Sequence, residues 1–183
     1  MQSLPLYAKI LLILFSIILV FYIVNKITAY LRELFKPFKK GKKYWCRVKA
    51  VSDGDTLTCY RFNVRRSETK LRFAYIDAPE SKQTFGKESQ QMVKRMIYRK
   101  MVRVEITDVD RYGRCVGIVR RYGKNINAEL VKRGGAWVYE EYIRNPSQKQ
   151  QWLTLQQQAK KQKKGLWKNP NAMRPSTYRK QQK

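Results

Sequence analysis

Two short acidic turns hold four of the thirteen carboxylates in this 183-residue chain. One is DGDT at residues 53–56, and the other is DAPE at residues 77–80. Each follows or ends a strand-like stretch, so the two turns can converge at one end of a sheet. Oxygen ligands gathered there suit a hard cation such as Ca²⁺ or Mg²⁺, with Asp55 and Asp77 as the preferred ligands. Taken alone, each turn is more typical of a hairpin or of a loop that caps backbone N–H groups.

Two arginines accompany the acidic turns. Arg72 precedes Asp77 by five residues, an odd spacing that places the two on opposite faces of a strand unless the chain bends between them. Arg114 ends the turn DRYGR, where Gly113 permits a tight bend. A planar guanidinium binds phosphate in a bidentate way. Because the chain has 40 Lys and Arg, spacing alone is equally compatible with two ordinary surface arginines.

Composition excludes several chemistries. The chain has no histidine, which removes Ser-His and Cys-His catalysis and argues against an ordinary zinc site. Cys46, Cys59 and Cys115 form no CxxC pair and lie in strand-like apolar runs, so we predict buried free thiols. The formal net charge of +27 predicts polyanionic partners, namely nucleic acid, an anionic membrane surface or both.

The elements that must position these residues alternate between strands and helices. Hydrophobic alternation predicts strands at 44–51, 56–64, 71–76, 101–107 and 114–120. Helical stripes predict helices at 87–99, at 125–133, and from Pro146 to a stop at Gly165, with Asn145 as the cap of the third. This order predicts an α+β fold, mainly a small curled five-stranded sheet with three helices packed on it.

The motifs DGDT, LRFAYIDAPE, DRYGR and GLW occur in an order and spacing that resemble the staphylococcal nuclease-like (thermonuclease) family. The resemblance covers about residues 44–167. It implies a five-stranded OB-type barrel with three helices. It also implies a Ca²⁺-dependent phosphodiesterase that cuts DNA and RNA with little sequence preference.

The resemblance assigns roles to individual positions. The implied metal ligands are Asp55, Asp77 and the backbone carbonyl of Ala78. The implied catalytic residues are Glu80, which positions or deprotonates the attacking water, and Arg72 and Arg114, which hold the scissile phosphate.

Further positions resemble the family's substrate contacts. Arg111 and Tyr112 resemble a basic–aromatic pair at a neighbouring phosphate, and Tyr142 falls near a nucleotide-contacting tyrosine. Asp53 matches an acid that lies close to the metal without being clearly a ligand. Glu140 departs from the pattern as an acid near the expected nucleotide cleft.

The N-terminal segment is strongly apolar. Residues 10–24 read ILLILFSIILVFYIV, with no charge. We expect an uncleaved single-pass anchor, with a cleaved signal peptide and secretion as the alternative, because Ile27 stands where a small-x-small cleavage site ending at Ala29 requires a small residue. Basic residues downstream outnumber those upstream, so the positive-inside rule favours a cytoplasmic C-terminal domain, and the basic linker can also bind anionic lipid.

The predicted organisation has four parts: a membrane anchor or signal segment (1–30), a basic juxtamembrane linker (31–43), a nuclease-like OB-type domain (44–168) and a basic tail (169–183), with a monomeric catalytic domain. Two other functions remain open at this point. One is a catalytically inactive, membrane-tethered nucleic-acid-binding module, since OB-type barrels also bind single strands without cutting them. The other is a basic lipid-surface protein, which leaves the acidic turns unexplained.

Overall fold

A computed structural model describes residues 5–35, 38–61 and 68–182 of the chain. Helix α1 (Leu6–Phe35) forms one unit, and the residues from Phe38 onward form the other. Within α1, residues Leu6–Leu31 are long and apolar enough to cross a membrane. At 1.5 Å per residue this stretch exceeds the hydrocarbon thickness of a bilayer, about 30 Å. A signal sequence has the same length and composition, so the helix alone does not separate an anchor from a signal sequence.

The second unit is built on a closed five-stranded barrel. The strands of its sheet are β1 (Lys43–Val51), β2 (Thr56–Arg61), β3 (Glu68–Phe73), β5 (Met101–Val109), β6 (Cys115–Arg121) and the short β7 (Lys124–Asn125). They lie in the order β3-β2-β1-β5-β6-β7, and a parallel pairing of β3 with β6 closes the barrel. Two further short strands, β4 (Ile76–Asp77) and β8 (Trp137–Val138), pair with each other. The predicted α+β barrel is therefore confirmed.

Alternating side chains explain the strands. In β5, Val102, Val104 and Ile106 point into the core. Strand β1 begins with the same alternation at Cys46 and Val48, but a shift of register between Val48 and Ala50 marks a bulge. A bulge inserts one extra residue, which is why Val51 is buried three positions after Val48.

Helices pack on the barrel, and two of them begin at a capping asparagine. They are α2 (Gly86–Ile97), α3 (Ile126–Lys132), α4 (Pro146–Lys161) and α5 (Pro175–Gln181), with 3₁₀ turns at Glu140–Tyr142 and Gly165–Lys168. The Asn145 side chain accepts from the backbone N–H of Gln148, with Pro146 at the first helical position, as predicted. Helix α4 ends at Lys161, before the predicted stop at Gly165, which instead begins a 3₁₀ turn.

One buried asparagine ties α3 to the barrel closure. Asn127 is fully buried. Its side-chain N–H groups donate to the carbonyls of Ala74 and Gly117, at 3.0 and 3.1 Å, and its side-chain oxygen accepts from Val119 N at 3.1 Å. These bonds join α3 to backbone groups at the end of β3 and within β6. Asn127 thus fixes the point at which the chain leaves β3 for the DAPE turn.

Several predicted boundaries differ from the structure. The predicted strand 71–76 stops at Phe73, because the chain turns at Ala74 and Tyr75 before β4 begins. The last residues of the predicted strand 56–64 lie outside the described ranges. Residues 169–183, predicted as a basic tail, instead include helix α5, whose first residue Pro175 is buried. Phe38, from the predicted linker, is buried in the core and packs edge-on against Tyr44.

Candidate active site

The DGDT turn buries its second aspartate. Asp55 is only 2 % exposed. The Asp53 side chain accepts from Asp55 N at 3.0 Å and shapes the turn. Gly54 lies so close to α2 and the DAPE turn that an added Cβ would stand 1.9 Å from Ser89 Oγ and 2.6 Å from Ala78 Cβ. Glycine is therefore needed here for close packing, and this packing places Asp55 beside the second acidic turn.

A bend at Tyr75 brings Asp77 to the same place. Tyr75 has φ of 67°, a left-handed conformation that is unusual outside glycine. Ala74 N donates to the Gly117 carbonyl at 2.8 Å and holds the bend against β6. Because of this bend Arg72 and Asp77 meet on one side of the chain despite their odd spacing, with Arg72 Nη2 2.9 Å from Asp77 Oδ1.

Arg72 joins both buried aspartates. Its Nη2 lies 2.9 Å from Asp55 Oδ2, and its Nη1 donates to Asp55 Oδ1 at 3.1 Å. Asp55 also accepts from Thr56 Oγ1 at 2.9 Å and from Ala78 N at 3.2 Å. Two aspartates predicted as metal ligands, and the arginine predicted as a phosphate ligand, therefore lie in direct contact.

Burial and charge oppose each other at this cluster. Burial raises the pKa of Asp55 to about 7, while the neighbouring guanidinium of Arg72 works in the opposite direction. Burial also disfavours the charge of Arg72, but Asp55 and Asp77 outweigh that effect and raise the pKa of Arg72. The negative charge of the cluster thus depends on a cationic partner, because the surroundings solvate the charge poorly.

Glu80 lies next to this pair but contacts a different arginine. Its side chain is 36 % exposed, and its Oε1 accepts from Arg179 Nη1 at 2.7 Å. Arg179, on α5, also binds both oxygens of Asp77 at 3.1 Å. We call Asp55, Asp77 and Glu80 the carboxylate cluster. Sequence reasoning missed Arg179, and the only local signal for α5 is a proline that suits a first helical position.

Arg114 lies on the same outer face of the barrel as Arg72. In the parallel pair, Leu71 is in register with Cys115 and Arg72 with Val116, and both Leu71 and Cys115 point into the core. Arg72 directly follows Leu71, and Arg114 directly precedes Cys115. Because neighbouring side chains alternate between faces, both arginines point outward. Arg114 itself is held by Asp110, which accepts from its Nε at 2.7 Å and from its backbone N–H at 2.9 Å. The structure shows no contact between Arg114 and the carboxylate cluster among the described residues.

The predicted substrate contacts lie in two exposed places. Tyr112 is 69 % exposed, with the guanidiniums of Arg111 and Arg114 at 4.9 and 5.5 Å from its ring centre. Tyr142 is 65 % exposed and packs edge-on against Tyr139. Both places present an aromatic ring to solvent, which suits contact with a sugar or base.

The region around Tyr142 contains two further informative residues. Tyr139 follows β8, and burial, Tyr142 and Asp77 together raise the pKa of its hydroxyl. Sequence reasoning missed Tyr139. Glu140, the acid that departs from the family pattern, pairs with Lys149 at 3.1 Å and more weakly with Arg174 at 3.9 Å. Its charge is therefore partly balanced within the domain.

The donor set fits a hard cation. Among the described residues, no group of three or more His, Cys, Asp or Glu side chains is arranged to hold a metal ion by itself. The predicted ligands are two carboxylates and one backbone carbonyl, which are all oxygen donors. The guanidiniums of Arg72 and Arg179 both contact Asp77, which shows that this cluster stabilises positive charge.

Comparison with known proteins points to the same chemistry. Residues 70–169 match the family described as staphylococcal nuclease homologue, a segment that includes Arg72, Asp77, Glu80 and Arg114. The chain is 40 % identical over 142 residues to an "Uncharacterized endonuclease" of Haemophilus influenzae, covering 78 % of this chain and 76 % of the relative. It is 37 % identical over 145 residues to a "Micrococcal nuclease" of Shigella flexneri, covering 74 % and 80 %. With its closed barrel and its carboxylate cluster, the chain belongs to the staphylococcal nuclease family and is a hydrolytic nuclease.

Proposed function

We propose that this nuclease is Ca²⁺-dependent, hydrolyses phosphodiester bonds of DNA and RNA with low sequence specificity, and is tethered to a membrane through α1. The observation that carries the first part is the contact of one guanidinium, that of Arg72, with both Asp55 and Asp77. Buried carboxylates that surround the Arg72 guanidinium can bind a metal ion in its place. Arg72 is then free to bind phosphate.

The metal site of this proposal consists of Asp55, Asp77 and the backbone carbonyl of Ala78. Hard oxygen donors favour Ca²⁺ over zinc or copper. When bound there, Ca²⁺ supplies positive charge that offsets the charge of the scissile phosphate. Burial of Asp55 strengthens this effect, because charges interact more strongly where water is excluded.

The remaining steps fall to side chains of the chain itself. Glu80 accepts the proton of the attacking water, and its partial exposure gives that water access. Arg72 and Arg114, which share the outer face of the barrel, donate to the phosphate oxygens and stabilise the charge that accumulates on them during attack.

Contacts away from the scissile bond account for low sequence specificity. Arg111 and Tyr112 bind a neighbouring phosphate and its sugar, and Tyr142 stacks on a base or sugar. Ring stacking and phosphate contacts discriminate little between bases. The net charge of +27 attracts the polyanion over longer distances, in a manner that salt weakens.

Tethering rests on α1 and on the lysines that follow it. Residues Leu6–Leu31 satisfy the length and hydropathy of a span, and the lysines from residue 39 to 43 suit anionic headgroups. Lys40 and Lys43 pair with Asp108 and Glu105 on β5, in exposed ion pairs that lipid phosphates can replace at small cost. The excess of positive charge after α1 favours a cytoplasmic nuclease domain.

The test of the cation requirement uses the full chain in a non-ionic detergent. Degradation of single-stranded DNA and of RNA is followed with Ca²⁺, with Mg²⁺ and with EDTA. We expect cleavage of both substrates with Ca²⁺ and its loss in EDTA. Equal rates with Ca²⁺ and EDTA would contradict the proposal.

A further inference from the structure

The C-terminal helix places an arginine directly on the carboxylate cluster. Arg179 Nη1 and Nη2 lie 3.1 Å from Asp77 Oδ1 and Oδ2, and Nη1 also lies 2.7 Å from Glu80 Oε1. One guanidinium thus binds Asp77 in a bidentate way and reaches Glu80 at the same time. Charge-assisted bonds of this kind are roughly twice as strong as neutral ones.

The segment that carries Arg179 is docked at several points. Gln83, 8 % exposed, donates from Nε2 to the carbonyl of Met173 at 2.7 Å, and its Oε1 accepts from Glu80 N at 3.2 Å. Pro175 is buried at the start of α5, and the guanidinium of Arg174 lies 5.0 Å from the ring centre of Trp137. Gln83 therefore links the loop of Glu80 to the segment of Arg179, which distinguishes Arg179 from the many solvated arginines of this chain.

The contacts of Arg179 use the oxygens that the proposed cation requires. A guanidinium has donors only, and it occupies both oxygens of Asp77. A metal ligated by Asp77 would need one of these oxygens and would lie close to the like charge of Arg179. Arg72 contacts Asp77 Oδ1 as well, so two guanidiniums lie at this carboxylate. Their combined charge of +2 equals the charge that a divalent cation would bring.

We propose that Arg179 is a tethered competitor of the divalent cation. Without metal, α5 holds Arg179 on Asp77 and Glu80, offsets part of the negative charge of the cluster and withholds the general base. Entry of the cation displaces Arg179 and frees the Glu80 carboxylate from its ion pair, so that it can accept a proton from water. The contact is thus autoinhibitory, and its strength sets the cation concentration at which the nuclease becomes active. This inference rests on the proposed cation site.

The expected size of the effect follows from the population of the closed state. If Arg179 occupies the cluster in about nine molecules of ten, the apparent cation affinity is about tenfold weaker than that of the open site. Removing the guanidinium abolishes this competition. Part of any gain could come from the loss of one positive charge near the site, so a neighbouring charge is needed as a control.

The experiment is calorimetric titration of the full chain in non-ionic detergent with CaCl₂, without nucleic acid. The variants are Arg179→Ala and, as the matched control, Lys180→Ala, which removes the same charge from an exposed position of the same helix. We expect Arg179→Ala to bind Ca²⁺ about tenfold more tightly than the unaltered chain and Lys180→Ala to stay within about twofold.

A second readout is thermal unfolding, which does not depend on activity. In EDTA, Arg179→Ala should unfold at a lower temperature than Lys180→Ala, and Ca²⁺ should raise its unfolding temperature by more. Arg179→Lys keeps the charge but loses the two-pronged contact, so we expect an intermediate Ca²⁺ affinity. It provides the test if the alanine variant does not fold.

Three results would overturn the proposal, and they differ in whether the proposed cation site is refuted as well. Equal or weaker Ca²⁺ binding by Arg179→Ala would refute competition while leaving the proposed cation site intact. A fall in the cleavage rate at saturating Ca²⁺, with unchanged Ca²⁺ affinity, would make Arg179 a positioning residue for Glu80 instead. Absence of Ca²⁺ binding by the unaltered chain would refute both the competition and the proposed cation site.

Discussion

Replacing Arg72 with methionine tests the charge balance of the cluster most directly. The variant keeps a long side chain but removes the group that binds both Asp55 and Asp77, which are 2 % and 4 % exposed. Leaving one partner of a buried ion pair unpaired costs about 3–5 kcal/mol. Asp55 can take up a proton, since burial already raises its pKa to about 7, so the expected loss is near the lower end, about 3 kcal/mol.

This loss can be read from thermal unfolding of the full chain in detergent and EDTA, followed by tryptophan fluorescence. For a domain of this size, 1 kcal/mol shifts the unfolding temperature by about 2–4 °C, so Arg72→Met should unfold about 6–12 °C below the unaltered chain. The control is Arg133→Met, which breaks an exposed pair with Glu129 on α3 and should cost about 0.5 kcal/mol or less.

Calcium should reverse the effect. A ligand at one hundred times its dissociation constant adds about 2.7 kcal/mol of stability. In the unaltered chain part of this gain is offset, because Ca²⁺ must displace Arg72 from the aspartates. The rise in unfolding temperature with Ca²⁺ should therefore be larger in Arg72→Met. Unfolding of Arg72→Met within 2 °C of Arg133→Met in EDTA would refute this account of the cluster.

Three further predictions concern other parts of the molecule. Glu80→Gln should lower the cleavage rate about 10²- to 10⁴-fold, while Glu141→Gln, at an exposed position, leaves it unchanged; equal rates would remove Glu80 as the general base. The thiols of Cys46, Cys59 and Cys115 should react with a thiol reagent only after denaturation, because all three are buried; rapid labelling of the native chain would contradict this burial. If α1 anchors the chain, alkaline carbonate should leave it in the membrane pellet, and its release would favour the signal-peptide alternative.

Much of the barrel follows from local patterns in the sequence. The alternation of Val102, Val104 and Ile106 predicts β5, and the Asn145-Pro146 pair predicts the start of α4. The buried free cysteines are confirmed as well. These features are local consequences of side-chain size, polarity and capping.

The site was harder to predict because it depends on contacts between distant residues. The meeting of Arg72 and Asp77 requires a left-handed residue, and at that position the chain has Tyr75, which gives no sequence signal for such a bend. Arg179 contacts Asp77, a residue about one hundred positions earlier in the chain. Arg179 itself lies on a short helix that has no apolar stripe. Composition alone therefore suggested a solvated tail.

Other assignments stay predictions. The metal-binding, catalytic and substrate-binding roles of all the site residues rest on resemblance to the family, and the structure adds their contacts and exposure. For the loop around Tyr112, the structure shows an exposed ring with the guanidiniums of Arg111 and Arg114 beside it.

The parallel pairing of β3 with β6 has a consequence for how the chain folds. The three strands β1, β2 and β3, and the pair β5 and β6, can each form by antiparallel contacts. The pairing of β1 with β5 and the contact between Leu71 and Cys115 must each close a much longer loop, at a larger cost in chain entropy, and together they close the barrel. We therefore expect barrel closure to limit the folding rate. This step aligns the outer faces that carry Arg72 and Arg114, and it also holds the bend that brings Asp77 beside Asp55. A chain stalled before closure would therefore have neither the aligned arginines nor the assembled carboxylate cluster, so we expect both parts of the site to form in the same folding step.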